Sequence, residues 1–150
     1  MAGAGDVTLA NRQNQIANLA AQLDGAADVF TASDLNVVTM NGLTGVDATS
    51  NIQIRSGGNL TLQTGNDVVT TNGNIVLAAD RAFTNQAGPN ALQPNGGRWL
   101  IYDSNLTLEN RLDGLQPQFR RFVTTIDTYG PAQVLEAGNG YLTDAMVVNP

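Results

Sequence analysis

The sequence predicts an all-β chain wound as a parallel β-helix, three short strands to a coil of about 22–23 residues. Two observations carry this. The first is a phrase that returns: Gly5-Asp6-Val7-Thr8-Leu9, Ala27-Asp28-Val29-Phe30-Thr31, Ser50-Asn51-Ile52-Gln53-Ile54 and Gly73-Asn74-Ile75-Val76-Leu77. Each opens on a small residue, continues with Asp or Asn, and enters a β-prone run on an apolar side chain. The Asp or Asn stands at 6, 28, 51 and 74, a near-constant period that marks stacked units, each covering the open face of the last. The second is that each phrase has a β-prone run on either side. Leu35-Asn36-Val37-Val38, Leu60-Thr61-Leu62 and Arg81-Ala82-Phe83 follow, while Ile16-Ala17-Asn18-Leu19, Leu43-Thr44-Gly45-Val46 and Val68-Val69-Thr70 precede. Three alternating runs per period, separated by Gly, Asn, Asp and Ser, describe a three-sided coil.

Taken in order, each element has a reason. Val7, Val29, Ile52 and Ile75 are expected to form one inner wall, a strand spacing of about 4.8 Å apart. Asp6, Asp28, Asn51 and Asn74 then stack at a corner, where Asx side chains bond to nearby backbone. Ile16, Leu19, Ala20 and Leu23 also fall at helical spacing, but the repeat register assigns this stretch to the first side of a coil. After Phe83 the regularity loosens. Loops are expected over Thr84-Asn85-Gln86-Ala87-Gly88-Pro89-Asn90 and Pro94-Asn95-Gly96-Gly97, yet one more 23-residue step from Asn74 reaches Gly97, immediately before Arg98-Trp99-Leu100-Ile101-Tyr102. That strand is read as the next floor. Further runs are expected at Leu106-Thr107-Leu108, Phe119 to Ile126, Val134-Leu135, Tyr141-Leu142 and Met146-Val147-Val148. Trp99, all three Tyr, and Phe119 and Phe122 lie after residue 98, as suits a region that must close the end of a stack. The chain divides accordingly into coils over 1–97 and a last coil with a cap over 98–150, continuous with the helix.

Composition narrows the chemistry. Of 150 residues 42% are hydrophobic and 13% charged; the net charge is −6, with seven Arg, no Lys, no His and no Cys. An acidic chain without a basic stripe is a poor partner for nucleic acid. No run approaches the ~18 apolar residues of a membrane span, and Met1-Ala2-Gly3-Ala4-Gly5 is no signal peptide. A start in mid-repeat suggests a piece of a longer protein. Without His, Cys or Lys, the usual nucleophile–base pairs, thiolate zinc sites and Schiff-base chemistry are excluded. Carboxylates remain in the last third, at Asp103, Glu109, Asp113, Asp127 and Glu136, with Arg98, Arg111, Arg120 and Arg121. Their spacing singles out no acid–base pair of the glycosidase kind, and surface ion pairing accounts for them better. Calcium would require Gly-Gly-x-Gly-x-Asp repeats, of which Gly57-Gly58-Asn59 is a fragment. No catalytic residue, metal ligand or cofactor is expected. Trp99 and Tyr102 are the binding candidates, as a platform for stacking sugars, with burial in the core as the competing reading.

Several phrases carry a resemblance. Residues 16–23 (Ile16 to Leu23), Asn41-Gly42-Leu43-Thr44-Gly45-Val46, Gly58-Asn59-Leu60-Thr61-Leu62, Gly96-Gly97-Arg98-Trp99-Leu100-Ile101-Tyr102 and Gly138-Asn139-Gly140-Tyr141-Leu142 resemble the filamentous-haemagglutinin-type exoproteins of bacterial two-partner secretion. The resemblance is to the C-terminal end of their β-helical stalk, and the Arg98 to Tyr102 phrase is its most specific part. It implies a right-handed parallel β-helix that is a structural segment of a secreted or surface-anchored adhesin serving adhesion, biofilm formation or aggregation, without chemistry of its own. The implied partners are flanking domains of the same polypeptide and a host or matrix glycan or protein. A binding module in the C-terminal region and a polysaccharide-degrading β-helix enzyme are the alternatives.

Overall fold

The computed structural model describes residues 1–104 and 111–145. The strands expected at 106–108 and 146–148, and Glu109, lie outside the described residues. The rest is a parallel β-solenoid of about six turns with almost no helix. The long sheet contains β2 (Val7–Leu9), β5 (Ala27–Thr31), β10 (Ile52–Ser56), β13 (Ile75–Ala79), β16 (Trp99–Asp103), β18 (Gly140–Thr143) and β17 (Phe119–Arg121), stacked in that order. A second side is built by β1 (Ala2–Ala4), β4 (Ala21–Asp24), β9 (Val46–Ala48), β12 (Val68–Thr70) and β15 (Leu92–Pro94). The third holds β3 (Asn18–Leu19), β6 (Leu35–Val37), β11 (Leu60–Leu62) and β14 (Phe83–Asn85). The stretch with helical spacing is extended, but it turns a corner instead of forming one first side: β3 pairs with β6 on the third side and β4 with β9 on the second, burying Leu19, Ala21 and Leu23.

The register corrects one part of the expected wall. Val7, Ala27, Ile52, Ile75 and Trp99 stand in one inner column, so successive coils are 20, 25, 23 and 24 residues long. Val29 is buried, but in the neighbouring column, with Leu9, Ile54, Leu77, Ile101 and Tyr141. The recurring phrase aligns Val29 with Ile52; the coil slips by two residues. In a strand the side-chain period is 2, so a slip of two keeps every side chain on its own face. The alternation in Ala27–Thr31 is equally well satisfied by both alignments, and the length of the neighbouring turns decides between them. Asp28 consequently pairs with Gln53 on the outer surface, half-buried, away from the corner.

One coil carries an insertion. Between β6 and β9 the chain leaves the stack as a short hairpin, β7 (Thr39–Met40) and β8 (Leu43–Thr44), turning on Asn41-Gly42 with φ of 53° and 80°. Positive φ at both turn residues is the two-residue connection that matches strand twist, and Asn-Gly is the sequence that accepts it. Asn66 of the next coil fixes its base: its Oδ1 accepts from the Thr39 hydroxyl at 3.0 Å and from the Gly45 amide at 2.9 Å.

The C-terminal end of the long sheet is closed by two further rungs. Strand β18 pairs with β16, and β17, which precedes it in sequence, lies outside it as the last rung among the described residues. The column of Leu77, Ile101 and Tyr141 thus ends on Arg120, an exposed charge in register with an apolar interior, a device that blocks addition of a further strand. The segment joining β17 to β18 does not stay at the end. It runs along the outer face of the long sheet and forms a second core, in which Val76, Ala78, Leu100, Tyr102, Leu142 and Val134 pack with Phe119, Ile126 and Tyr129. This explains why β13 and β16 are buried on both faces whereas β5 and β10 alternate.

Candidate functional site

Polar side chains are used first to hold coils together. At the corner before the long sheet, Asp6 Oδ1 accepts from the Ala26 amide at 2.8 Å, Asn51 Oδ1 from Asn74 at 2.8 Å, and Asn74 Oδ1 from Arg98 at 2.9 Å. Each Asx side chain reaches one coil towards the C-terminus. The ladder then reverses: Asn139 Oδ1 accepts from the Trp99 amide at 2.9 Å, and Gln118 Oε1 from Asn139 at 2.7 Å. The two outermost side chains bend back into the stack and satisfy amides below them. Gly97 is required by this closeness, because a Cβ there would run into the Gly73 carbonyl and Asn74 Oδ1. A second ladder, outside the recurring phrase, serves another corner: Asp34 Oδ1 accepts from Asn59 at 2.8 Å and Asn59 Oδ1 from Ala82 at 3.2 Å. Its signal was present in sequence as Asp34-Leu35 and Asn59-Leu60, one coil apart.

Trp99 and Tyr102 present no face to solvent. Trp99 is 3% exposed in the main core and Tyr102 2% exposed in the outer one, where its hydroxyl donates to the Tyr129 carbonyl at 2.8 Å. Burial pushes the Tyr102 hydroxyl up to about 12.

The arrangement closest to a chemical site lies where the outer segment crosses the long sheet. A cleft of about 250 Å³ there is lined by Arg55, Asp80, Asp103, Ser104, Thr124, Asp127 and Asp144, among others. Arg55 makes a bidentate pair with Asp127, 2.8 and 2.9 Å, and meets Asp80 at 3.2 Å. Both carboxylates approach the same guanidinium nitrogen, at 3.2 and 2.9 Å, which brings two acids to one cleft, as glycoside hydrolysis requires. The electrostatics of Asp127 are of the opposite kind. The hydrogen bonds from Arg55 hold Asp127 below the usual carboxylate range, and Asp127 in turn raises Arg55. A general acid at neutral pH needs its pKa raised; Asp127 is held ionised. Phe30 completes the cluster, with Arg12 and Arg55 5.0 and 5.5 Å from its ring centroid.

Asp103 is buried and fully engaged. It accepts from the Phe83 amide at 3.1 Å, forms an ion pair with Arg111 at 2.7 Å, and accepts a third hydrogen bond from the Tyr141 hydroxyl. Burial, then the Asp103 carboxylate, raises the Tyr141 hydroxyl above its ordinary value. The network ties β14, β16, β18 and residue 111 together at the closing end. Glu136 is lowered by the hydrogen bond from Tyr129 and, further, by Arg121. Arg120 makes no ion pair among the described residues, and Asp113 accepts from the Gly88 amide at 2.9 Å. Among the described residues no group of three or more His, Cys, Asp or Glu could hold a metal ion, and no helix is long and apolar enough to cross a membrane. Comparison with family models, with curated proteins and with solved structures finds no match to the chain.

Proposed function

We propose that this chain is a structural segment, the closing coils of the stalk of a secreted or surface-anchored bacterial adhesin of the filamentous-haemagglutinin type, with no chemistry of its own. The observation that carries the reading is the use to which its polar groups are put. Asp6, Asn51, Asn74, Asn139, Asp34 and Asn59 accept amides of neighbouring coils, and Asp103, Asp127 and Asp80 are held by arginines. A rigid spacer needs side chains spent in this way; an enzyme needs some of them free and poised. The resemblance of Gly96 to Tyr102 to the stalk end of those exoproteins supports the same reading.

Antibody raised against this segment is expected to label intact cells of the source organism, and replacing the cleft residues Asp80 and Asp127 by Asn should leave adhesion or aggregation unchanged. Labelling confined to permeabilised cells, or polysaccharide cleavage that disappears with Asp127→Asn, would defeat the proposal. A second reading, recognition of a glycan or protein by the C-terminal region, draws on the exposure of Phe122, Val123 and Leu135, the last 90% exposed. Retention of the purified segment on immobilised glycan or matrix protein, lost in Leu135→Asp, would favour it.

A further inference from the structure

The sequence contains four Asn-Gly pairs, and the fold treats one of them differently. An Asn followed by Gly is the pair in which the glycine amide can attack the preceding carboxamide, since no side chain on the second residue hinders the approach. Three pairs are engaged in the stack. At Asn72-Gly73 the attacking amide donates to the Asn95 carbonyl at 2.9 Å. At Asn95-Gly96 the carboxamide donates to the Thr70 carbonyl at 2.9 Å. At Asn139-Gly140 the carboxamide oxygen accepts from Trp99, and the glycine opens a strand paired on both sides. The fourth, Asn41-Gly42, forms the tip of the β7–β8 hairpin. Both residues are exposed, neither the Asn41 carboxamide nor the Gly42 amide has a hydrogen-bond partner among the described residues, and the position of a Gly42 Cβ is open space.

We infer that Asn41 is a site of self-modification in the folded protein. The Gly42 nitrogen bonds to Asn41 Cγ as the bond from Cγ to the carboxamide nitrogen breaks. The proton of the Gly42 amide leaves with that nitrogen as ammonia, and a succinimide remains. Water then opens the ring. Addition at Cγ yields an ordinary aspartate, while addition at the main-chain carbonyl routes the backbone through Cγ and yields isoaspartate. No electrons change hands, and solvent supplies the only co-reactant. Either product adds a negative charge beside the Thr39–Thr44 pair, and isoaspartate also lengthens a turn whose two-residue length sets the strand pairing.

Arginine spacing makes the test simple, because cleavage after Arg12, Arg55, Arg81, Arg98 and Arg121 leaves each Asn-Gly pair in its own peptide. The full chain is incubated at mildly alkaline pH, folded or in denaturant, then digested and mapped by mass spectrometry. In the folded protein, the gain of about one dalton that marks loss of ammonia and uptake of water should accumulate at Asn41 roughly tenfold faster than at Asn72, Asn95 or Asn139. In denaturant the four rates should converge. With Asn41→Gln the 13–55 peptide should keep its mass. Equal rates at the four sites in the folded chain, an unmodified Asn41, or the same gain in the Asn41→Gln peptide would overturn the inference.

Discussion

Ile52 sits at the middle of the long sheet, 1% exposed, with Ala27 below it and Ile75 above. An aspartate at this position has no cation within the stack to meet, and burying it unpaired costs several kcal/mol. Ile52→Asp is therefore expected to destabilise by more than about 4 kcal/mol, enough to prevent folding, as seen in loss of the β-sheet circular dichroism signal. The corner residues give a finer test, because the observed register separates two that the repeat treats alike. Asn51→Ala removes the acceptor for the Asn74 amide and should cost about 1 kcal/mol in urea unfolding. Asp28→Ala touches no ladder and should change stability by less than about 0.5 kcal/mol. Equal effects would restore the alignment of Asp28 with Asn51. The reason sequence misassigned Asp28 is physical. The ladder position in that coil is Ala26, which donates its backbone amide to Asp6 Oδ1 and has no side-chain acceptor to offer the next coil. The pattern therefore skips a rung, and an Asp two residues later imitates it.

The closing element was legible only in part. Concentrated aromatics marked the region, and the burial of Trp99, Tyr102 and Tyr141 agrees with that signal. Its path was not legible, because strand order does not follow chain order: β17 must wait for β18 to fill the rung between it and β16. Nor could spacing reveal that Asp127 reaches Arg55, 72 residues earlier. Long-range ion pairs have no period. Two predictions belong to this element. Asp103→Ala strands Arg111 and Tyr141 in the buried network, and breaking a buried pair from one side costs about 3–5 kcal/mol; thermal unfolding should fall accordingly, with Asp103→Asn recovering part of the loss. The outer clasp is weaker, since the Asp127 side chain is 59% exposed and solvent screens it. The Asp127 pKa is depressed in the folded protein, so its contribution is present above the unfolded value near 4 and is lost as pH falls through that value and below. The urea midpoint should drop as pH falls from about 5 through 4 and below, and Arg55→Ala should remove a share of that drop. A pH profile unchanged by Arg55→Ala would mean the clasp contributes nothing.

At the scale of the molecule the question is whether the stack and its closing region unfold together. Trp99 is the reporter, being the only tryptophan and lying in the main core directly above Ile75. The two parts share more than a boundary. Strand β16 is paired with β13 on one edge and β18 on the other, and the outer core joins Val76 and Ala78 to Val134, Ile126 and Tyr129. The Asx ladder crosses the same junction, from Asn74 to Arg98 and from Asn139 back to Trp99. Removing residues 98–150 would expose the outer faces of Val76 and Ala78 and open the long sheet at β13, together with the apolar interior beneath Trp99. The 1–97 fragment should therefore aggregate or lack stable structure. In the intact chain, the blue-shifted emission of a buried indole should move to the red in a single urea transition that coincides with loss of the β-sheet signal, the mark of one cooperative unit. A soluble, folded 1–97 fragment, or a fluorescence transition well separated from the circular dichroism transition, would make the closing region a detachable module. It would also shift weight from the stalk reading towards recognition by that region.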